Sequence, residues 1–336
     1  MHRSRTTARP RVVLVTGASS GIGEATARLA AVRGDHVVLL ARGADSLARV
    51  ATDCDSLGAA STLVVPTDMA DDAQVAAAVS AAVARHGRLD VVVGCAGVVA
   101  YGQIADVPAD VFDGVISTNL LGSVNLARHA LPLLRAQGDG AGAGSMVLVG
   151  SVIGHIAVPD MAAYVVSKWG VRGLVRQLRV DNRDRSGVRF GYVAPGGVDT
   201  PIYRQAATYG DSVGRPPFPV SSPETIARRV LTVADHPWRG GQVGVSNDVI
   251  RFGFTALPWA YDRLVGPLFS VVAQDLVAPV VRGPGNVLAS QQDGNGLRGH
   301  QGSALRGIAA NLAEVVRRRR RPAGPAGVPL RDGNAG

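Results

Sequence analysis

The stretch Val12-Val13-Leu14-Val15-Thr16-Gly17-Ala18-Ser19-Ser20-Gly21-Ile22-Gly23 decides the fold. Four apolar residues and a threonine, mostly β-branched, read as a strand buried on both faces. The glycine cluster that follows opens an Ala-rich segment of helical length, so strand, turn and helix succeed one another without a spacer. Glycines at such a joint let the backbone turn tightly, approach a pyrophosphate closely and pack the helix on the sheet. The helix N-terminus then faces the phosphates. A glycine cluster alone is weak evidence. Between the first strand and first helix of a βαβ unit, it predicts a dinucleotide held by Gly17, Ser19, Ser20, Gly21, Ile22 and Gly23.

Outward from that joint, short β-branched runs alternate with Ala-rich helical segments, the pattern of a parallel sheet covered on both faces. Strands are expected at Val12–Thr16, His36–Ala41, Ser61–Pro66, Asp90–Gly94, Ser145–Gly150, Val188–Val193 and Gln242–Val245. Helices are expected near 22–33, 44–56, 71–86, 110–136, 162–184 and 223–236. The predicted fold class is α/β: a doubly wound, Rossmann-type, mainly seven-stranded parallel sheet with a C-terminal extension. Gly138–Gly144 reads as a flexible turn. The expected organisation is a disordered basic N-terminus (1–10), a catalytic domain (11–249), an apolar and helical extension (250–316) and a disordered Arg/Pro/Gly tail (317–336).

The end of the second strand bears on which dinucleotide is held. An acid there would bind a free ribose 2′-hydroxyl, whereas an arginine accommodates a 2′-phosphate. The sequence reads Leu40-Ala41-Arg42 with no acid before Asp45, which favours NADP(H) over NAD(H). Asp68, with Met69 beside it, follows the third strand. Asp68 is placed to meet an adenine amino group or to cap a helix, and it could do both.

Lys168 is the only lysine among 35 Lys and Arg residues, and it lies four positions after Tyr164. On a helix, i and i+4 share a face, so both can enter one pocket. A nearby cation stabilises a phenolate and brings a phenol of ordinary pKa about 10 toward the working range. Tyr-x-x-x-Lys alone fits an ordinary amphipathic helix equally well.

Taken together, Thr16–Gly23, Asp68, Ala96-Gly97, Asn119, Ser151, Tyr164-x-x-x-Lys168 and Pro195-Gly196-Gly197-Val198-x-Thr200 resemble the short-chain dehydrogenase/reductase family, in order and over about Arg11 to Val249. Ser151 precedes Tyr164 by 13 residues, as the family has it. The resemblance implies that Tyr164 is the general acid and base, that Ser151 orients the substrate oxygen, and that Lys168 lowers the Tyr164 pKa and holds the nicotinamide ribose. It also implies that Asn119 holds a water reaching Lys168. Ala96, Gly97, Tyr164, Lys168, Pro195, Gly196, Val198 and Thr200 would then join the cofactor set, with Pro195–Thr200 on the nicotinamide side. Pairing of copies as a homodimer or homotetramer, through the helices carrying Asn119 and Tyr164, follows from the same resemblance. One departure stands out. Gly94-Cys95 replaces the family's Asn-Asn, and Cys95 cannot donate as an amide does, so a weaker strand end is expected there.

The net charge of +9 is confined to the ends: Arg3, Arg5, Arg9, Arg11 and Arg317 to Arg321 account for it, and Arg331 is cancelled by Asp332. Residues 12–316 are formally neutral, so no specific nucleic-acid face is expected. Two cysteines, Cys54 and Cys95, form neither a disulfide framework nor a metal spacing. No apolar signal segment precedes Val12, and Phe252 to Val281 is interrupted by Asp262, Arg263 and Asp275, so a cytoplasmic protein is expected. Ile202 to Val220 is expected to be a mobile lid. The stripe Leu257, Tyr261, Leu264, Leu268 reads as packed core or oligomer contact, as the wall of an apolar substrate pocket, or, least favoured, as a membrane-surface contact. The function expected is interconversion of a ketone or aldehyde and an alcohol with NADP(H) on an apolar substrate (lipid-like, terpenoid or aromatic). The alternative is a catalytically silent dinucleotide sensor or scaffold acting through the basic tail.

Overall fold

The computed structural model describes residues 9–137 and 143–320. Of the predicted unstructured ends, residues 1–8 and 321–336 lie outside the described residues, as does most of the Gly138–Gly144 turn. Seven strands, β1 (Val12–Thr16), β2 (His36–Ala41), β3 (Ser61–Pro66), β4 (Val91–Gly94), β5 (Gly144–Val149), β6 (Val188–Pro195) and β7 (Gly241–Val243), form one parallel sheet in the order β7-β6-β5-β4-β1-β2-β3. The strand order reverses between β1 and β4, and in such sheets a crevice opens beyond the strand ends at that point.

Helices α1 (Gly21–Val32), α2 (Ala44–Ser56), α3 (Asp72–His86), α4 (Ala109–Ile116), α5 (Gly122–Ala136), α6 (Ala162–Asp181) and α7 (Pro223–Asp235) surround the sheet. Alternation along each strand sends side chains to two separate cores. Val13, Val15, Leu39 and Val93 meet α1, α2 and α7 through Ala27, Leu47 and Ile226. Leu14, Val38, Val92 and Leu148 meet α3, α5 and α6 through Ala78, Leu126 and Val171.

Three expectations need correction. The single helix predicted over 110–136 is divided by a π-helical segment, Ser117–Leu121, between α4 and α5. The predicted tail from 317 begins too early, because α10 (Ala304–Arg320) continues through Arg320, helped by an Arg317–Glu314 ion pair of 2.7 Å one turn apart. The segment 202–220 is not a free lid. Ala207–Thr208 pairs with Ala100–Tyr101, and Val213–Gly214 pairs with Gln274–Asp275. Beyond β7, Gly244 (φ +103°) turns the chain into α8 (Val245–Ala256), followed by α9 (Pro258–Ala273).

One ion-pair network fixes α1 against α2 beside the glycine turn. Glu24, in the first turn of α1, is fully buried and meets Arg28 at 2.7 Å and Arg49 at 2.9 Å. Arg28 also reaches Asp53 at 2.6 Å, and Arg49 donates to Ser19 O at 3.3 Å. Removing both cations strands a buried carboxylate, which costs about 3 kcal/mol. The double variant Arg28→Ala/Arg49→Ala is therefore expected to lose that much in urea unfolding, and adding Glu24→Gln should recover more than half. No recovery would mean that the arginines act through packing alone.

Candidate active site

The glycine turn is shaped by contacts that only hydrogen side chains allow. Gly17 has φ +64°, and a Cβ on it would lie 2.8 Å from the Ala96 backbone. A Cβ on Gly23 would lie 2.1 Å from Gly17 O, so α1 can start this close to β1 only with glycine there. Beside the turn lies an open cleft. Its walls carry the turn residues Gly17, Ser19, Ser20, Gly21, Ile22 and Gly23, the strand-end residues Arg42, Asp68 and Met69, and Ala96, Gly97 and Thr200. Asp68 Oδ1 accepts from Ala70 N at 2.9 Å, so it closes a local turn while facing the cleft. The cap of α3 is Asp71, which accepts from Gln74 N.

A second, more apolar chamber adjoins the first across Ile22, Cys95, Gly97, Thr200 and Ile202. Ser151, Tyr164, Lys168, Pro195, Gly196 and Val198 line it. Tyr164 and Lys168 project from one face of α6, and both are buried. Ser151 begins a short 3₁₀ turn (Val152–Gly154), accepting from Ile153 N at 3.2 Å, and it shares the chamber wall with Tyr164. Lys168 Nζ donates to Val149 O at 3.1 Å and sits 5.6 Å from the centre of the Tyr164 ring.

Burial dominates the electrostatics. It pushes Tyr164 up to about 12, against the opposing pull of the Ser151 hydrogen bond. It pushes Lys168 down to about 8. The sequence leads one to expect a phenol lowered by its lysine, but burial of the phenolate sets the direction instead. Cys95, also beside Lys168, is driven up to about 12 by burial, which favours the protonated thiol.

Asn119 is the one predicted catalytic residue not on the chamber walls. It is buried in the π-helical segment. Its Oδ1 accepts from Val98 N at 2.8 Å, and its Nδ2 donates to Val98 O and Ser167 Oγ, each at 3.0 Å. A Cβ on Gly97 would lie 3.4 Å from Asn119 Oδ1 and 3.5 Å from Lys168 Nζ, so the glycine keeps open the space between them. At Cys95 the strand end is braced from another side. Thr16 Oγ1 accepts from Cys95 N and Ala96 N, both at 3.1 Å.

Several wall residues lie outside the predicted set. Tyr101, Met161, Tyr203 and Phe269 line the apolar chamber, as does the buried Arg215. Gln205, Asn286, Gln291 and Asn295 line the cleft. The last three have one trace in the sequence, the Gln/Asn-rich composition of 286–295, and Gln205 has none. Phe269 gives the extension a share in the pocket wall, while Leu257, Leu264 and Leu268 of the predicted stripe are exposed.

A family model described as short chain dehydrogenase matches residues 11–209. A cis-4-hydroxycyclohexanecarboxylate dehydrogenase of Sinomonas cyclohexanicum is 36% identical over 234 residues, covering 67% of this chain and 89% of the relative. Among solved structures, an alcohol dehydrogenase from the archaeon Thermococcus sibiricus, complexed with 5-hydroxy-NADP, is similar with a TM-score of 0.60 and 28% identity, over 70% of this chain and 95% of that one. A short chain dehydrogenase from Mycobacterium paratuberculosis bound to NAD is similar with a TM-score of 0.61 and 26% identity, over 70% and 96%. With the reversed strand order, the glycine turn and the Ser151–Tyr164–Lys168 grouping, these likenesses establish that the chain belongs to the short-chain dehydrogenase/reductase family, oxidoreductases acting on CH–OH groups.

Proposed function

We propose that this chain interconverts a ketone or aldehyde and its alcohol using NADP(H), with Tyr164 as general acid and base, on a mainly apolar substrate. The observation that carries the reading is the buried Ser151–Tyr164–Lys168 set facing an apolar chamber that opens into the glycine-lined cleft. The cleft suits a dinucleotide, because Gly17 and Gly23 leave room where any Cβ would fill the cradle. When bound, the nicotinamide supplies or accepts the hydride. Lys168, Gly196, Val198 and Thr200 would hold its end of the cleft, and Asp68 and Met69 the adenine end.

In the reducing direction the Tyr164 hydroxyl donates its proton to the substrate oxygen, while Ser151 Oγ–H bonds the same atom and holds it in line. A phenol held near 12 is fully protonated at neutral pH, which favours its role as acid. Lys168, charged below about pH 8, stabilises the phenolate left behind. Tyr101, Met161, Ile153 and Phe269 exclude water from the oxygen and favour a compact carbon skeleton. The relative's hydroxycyclohexane substrate makes ring-borne secondary alcohols the class to try first. The sensor reading has no use for a proton donor buried this way.

Arg42, at the end of β2 with no acid before Asp45, supports NADP(H). Titration of the purified protein with NADPH and with NADH is expected to give the tighter binding to NADPH, and the reverse order would remove Arg42 from the cofactor site. Pairing of copies is supported by Leu121, Val166 and Trp169, large apolar side chains left exposed at the end of the π-helical segment and on α6. Light scattering that reads a single-chain mass would remove it.

Tyr164→Phe is expected to lower kcat by roughly 10²–10⁴-fold while leaving dinucleotide affinity nearly unchanged. Turnover within a few-fold of wild type would sink the assignment. A second expectation concerns stability. Lys168 titrates near 8 in the folded chain against an ordinary 10.5. Below pH 8 both states hold the proton, and the fold bears the full cost of the buried charge. Between the two values the unfolded chain binds more protons, so stability rises with pH. Relative to Lys168→Met, the wild type should therefore gain at most about 3 kcal/mol of unfolding free energy from pH 7 to 10.5. Parallel pH profiles would show that the ammonium is not desolvated.

A further inference from the structure

Between α9 and α10 the chain crosses the mouth of the dinucleotide cleft, and its oxygens sit on donors that phosphates would use. Gly296 O accepts from Gly21 N at 3.0 Å, at the start of α1. Val287 O accepts from Arg42 Nη1 at 3.0 Å, and Asn286 O accepts from Arg42 Nη2. Gln292 Oε1 accepts from Asp45 N at 3.0 Å and from Ser46 N at 3.2 Å. Asn295 Nδ2 donates to Ser46 Oγ at 3.0 Å. Helix α2 has no side-chain cap of its own, since its N-cap is Gly43. Gln292 supplies the cap from 246 residues away. It fits because Gly43 has no side chain: a Cβ there would lie 2.7 Å from Gln292 Oε1.

Arg42 and the first α2 amides both meet the 286–292 stretch, and together they offer the kinds of donor a ribose 2′-phosphate needs. Resting on the NADP(H) reading above, we propose that Gln292 is a resident placeholder at the 2′-phosphate subsite and a determinant of the choice between NADP(H) and NAD(H). Its neutral amide oxygen satisfies the α2 donors while the subsite is empty. A phosphate makes charge-assisted hydrogen bonds about twice as strong and displaces it. NAD(H), which lacks that phosphate, leaves it seated.

The backbone around Gln292 is anchored independently. The buried Gln205 donates to Gln291 O at 3.0 Å and to Asn295 Oδ1 at 3.1 Å, and its own carbonyl accepts from Asn286 N at 2.8 Å. Displacement therefore asks that the Gln292 side chain turn away, giving up also the bond its Nε2 donates to Asp45 Oδ2 at 3.4 Å. The carbonyls of Asn286 and Val287 engage one N–H on each terminal nitrogen of Arg42, which leaves three of its five donors for the phosphate and holds the fork in position.

The test is fluorescence titration of the full chain and two variants with NADPH and with NADH. Gln292→Ala frees the α2 amides and should tighten NADPH roughly three- to tenfold, with NADH nearly unchanged. Gln292→Glu puts a carboxylate where the phosphate goes and should weaken NADPH by roughly tenfold or more, again sparing NADH. Retained NADH binding shows that each variant is folded. Weaker NADPH binding by Gln292→Ala would make Gln292 a ligand instead of a placeholder and overturn the proposal. Equal shifts for both nucleotides, or none for either, would also overturn it while leaving the cofactor reading intact. Failure of the wild type to bind either nucleotide would remove the cofactor reading and the placeholder together.

Discussion

The active region is organised around one buried charge. Lys168 is the only lysine in the chain, it is 5% exposed, and its ammonium rests against Val149 O. Holding an ammonium in such a place is unfavourable, and the lowering of Lys168 to about 8 measures that cost. An arginine could not stand in its place. The guanidinium is larger and does not give up its proton, whereas an ammonium is compact and can neutralise when the environment demands it. The neighbours follow from this one requirement. Gly97 leaves space beside the Nζ, Asn119 fixes the backbone just past β4 through Val98, and Ser167 ties Asn119 back to the helix that carries Tyr164 and Lys168. Asn119 itself sits in the π-helical segment Ser117–Leu121, at the junction of α4 and α5.

Strands were legible where periodicity and glycine punctuation act locally. β1, β2 and β3 occupy the expected residues, and the remaining strands differ by one or two positions at their ends. The reason is that a parallel strand buried on both faces must be continuously apolar, a pattern that few other local structures share. The dinucleotide turn was equally legible, because a Cβ at Gly17 or Gly23 would collide with backbone, leaving only glycine.

Other features were hidden because they depend on partners distant in sequence. The 110–136 segment has continuous helical patterning, and its π interruption is set by Val98 and Ser167, not by any local breaker. The direction of the Tyr164 shift was hidden too. A lysine four residues away is visible in the sequence, while the burial that raises the phenol arises only when residues distant in sequence, such as Tyr101, Met161 and Phe269, line the same chamber. Gln292 is a plain amide in a polar loop until the fold brings it to the start of α2.

The extension past β7 links the two halves of the site physically. Phe269 and Ala273 of α9 line the substrate chamber, and Asn286 to Asn295 line the dinucleotide cleft. Between them the chain is pinned to the 202–220 segment: Ala273 O accepts from Arg215 N at 2.9 Å, and Thr208 and Gly283 exchange backbone hydrogen bonds of 2.9 and 3.0 Å. The same segment borders both chambers through Ile202 and contributes Gln205, which anchors the Asn286–Asn295 stretch. A wall built this way cannot move on the cofactor side without straining the bonds that hold the substrate side. The walls of both chambers are thus shared by one continuous piece of chain, and its helices α8 and α9 also carry exposed apolar side chains such as Phe252, Trp259 and Leu268. That segment is held by short backbone pairings and amide hydrogen bonds. Those are interactions of modest individual strength, so single side-chain changes there can retune binding without disturbing the sheet.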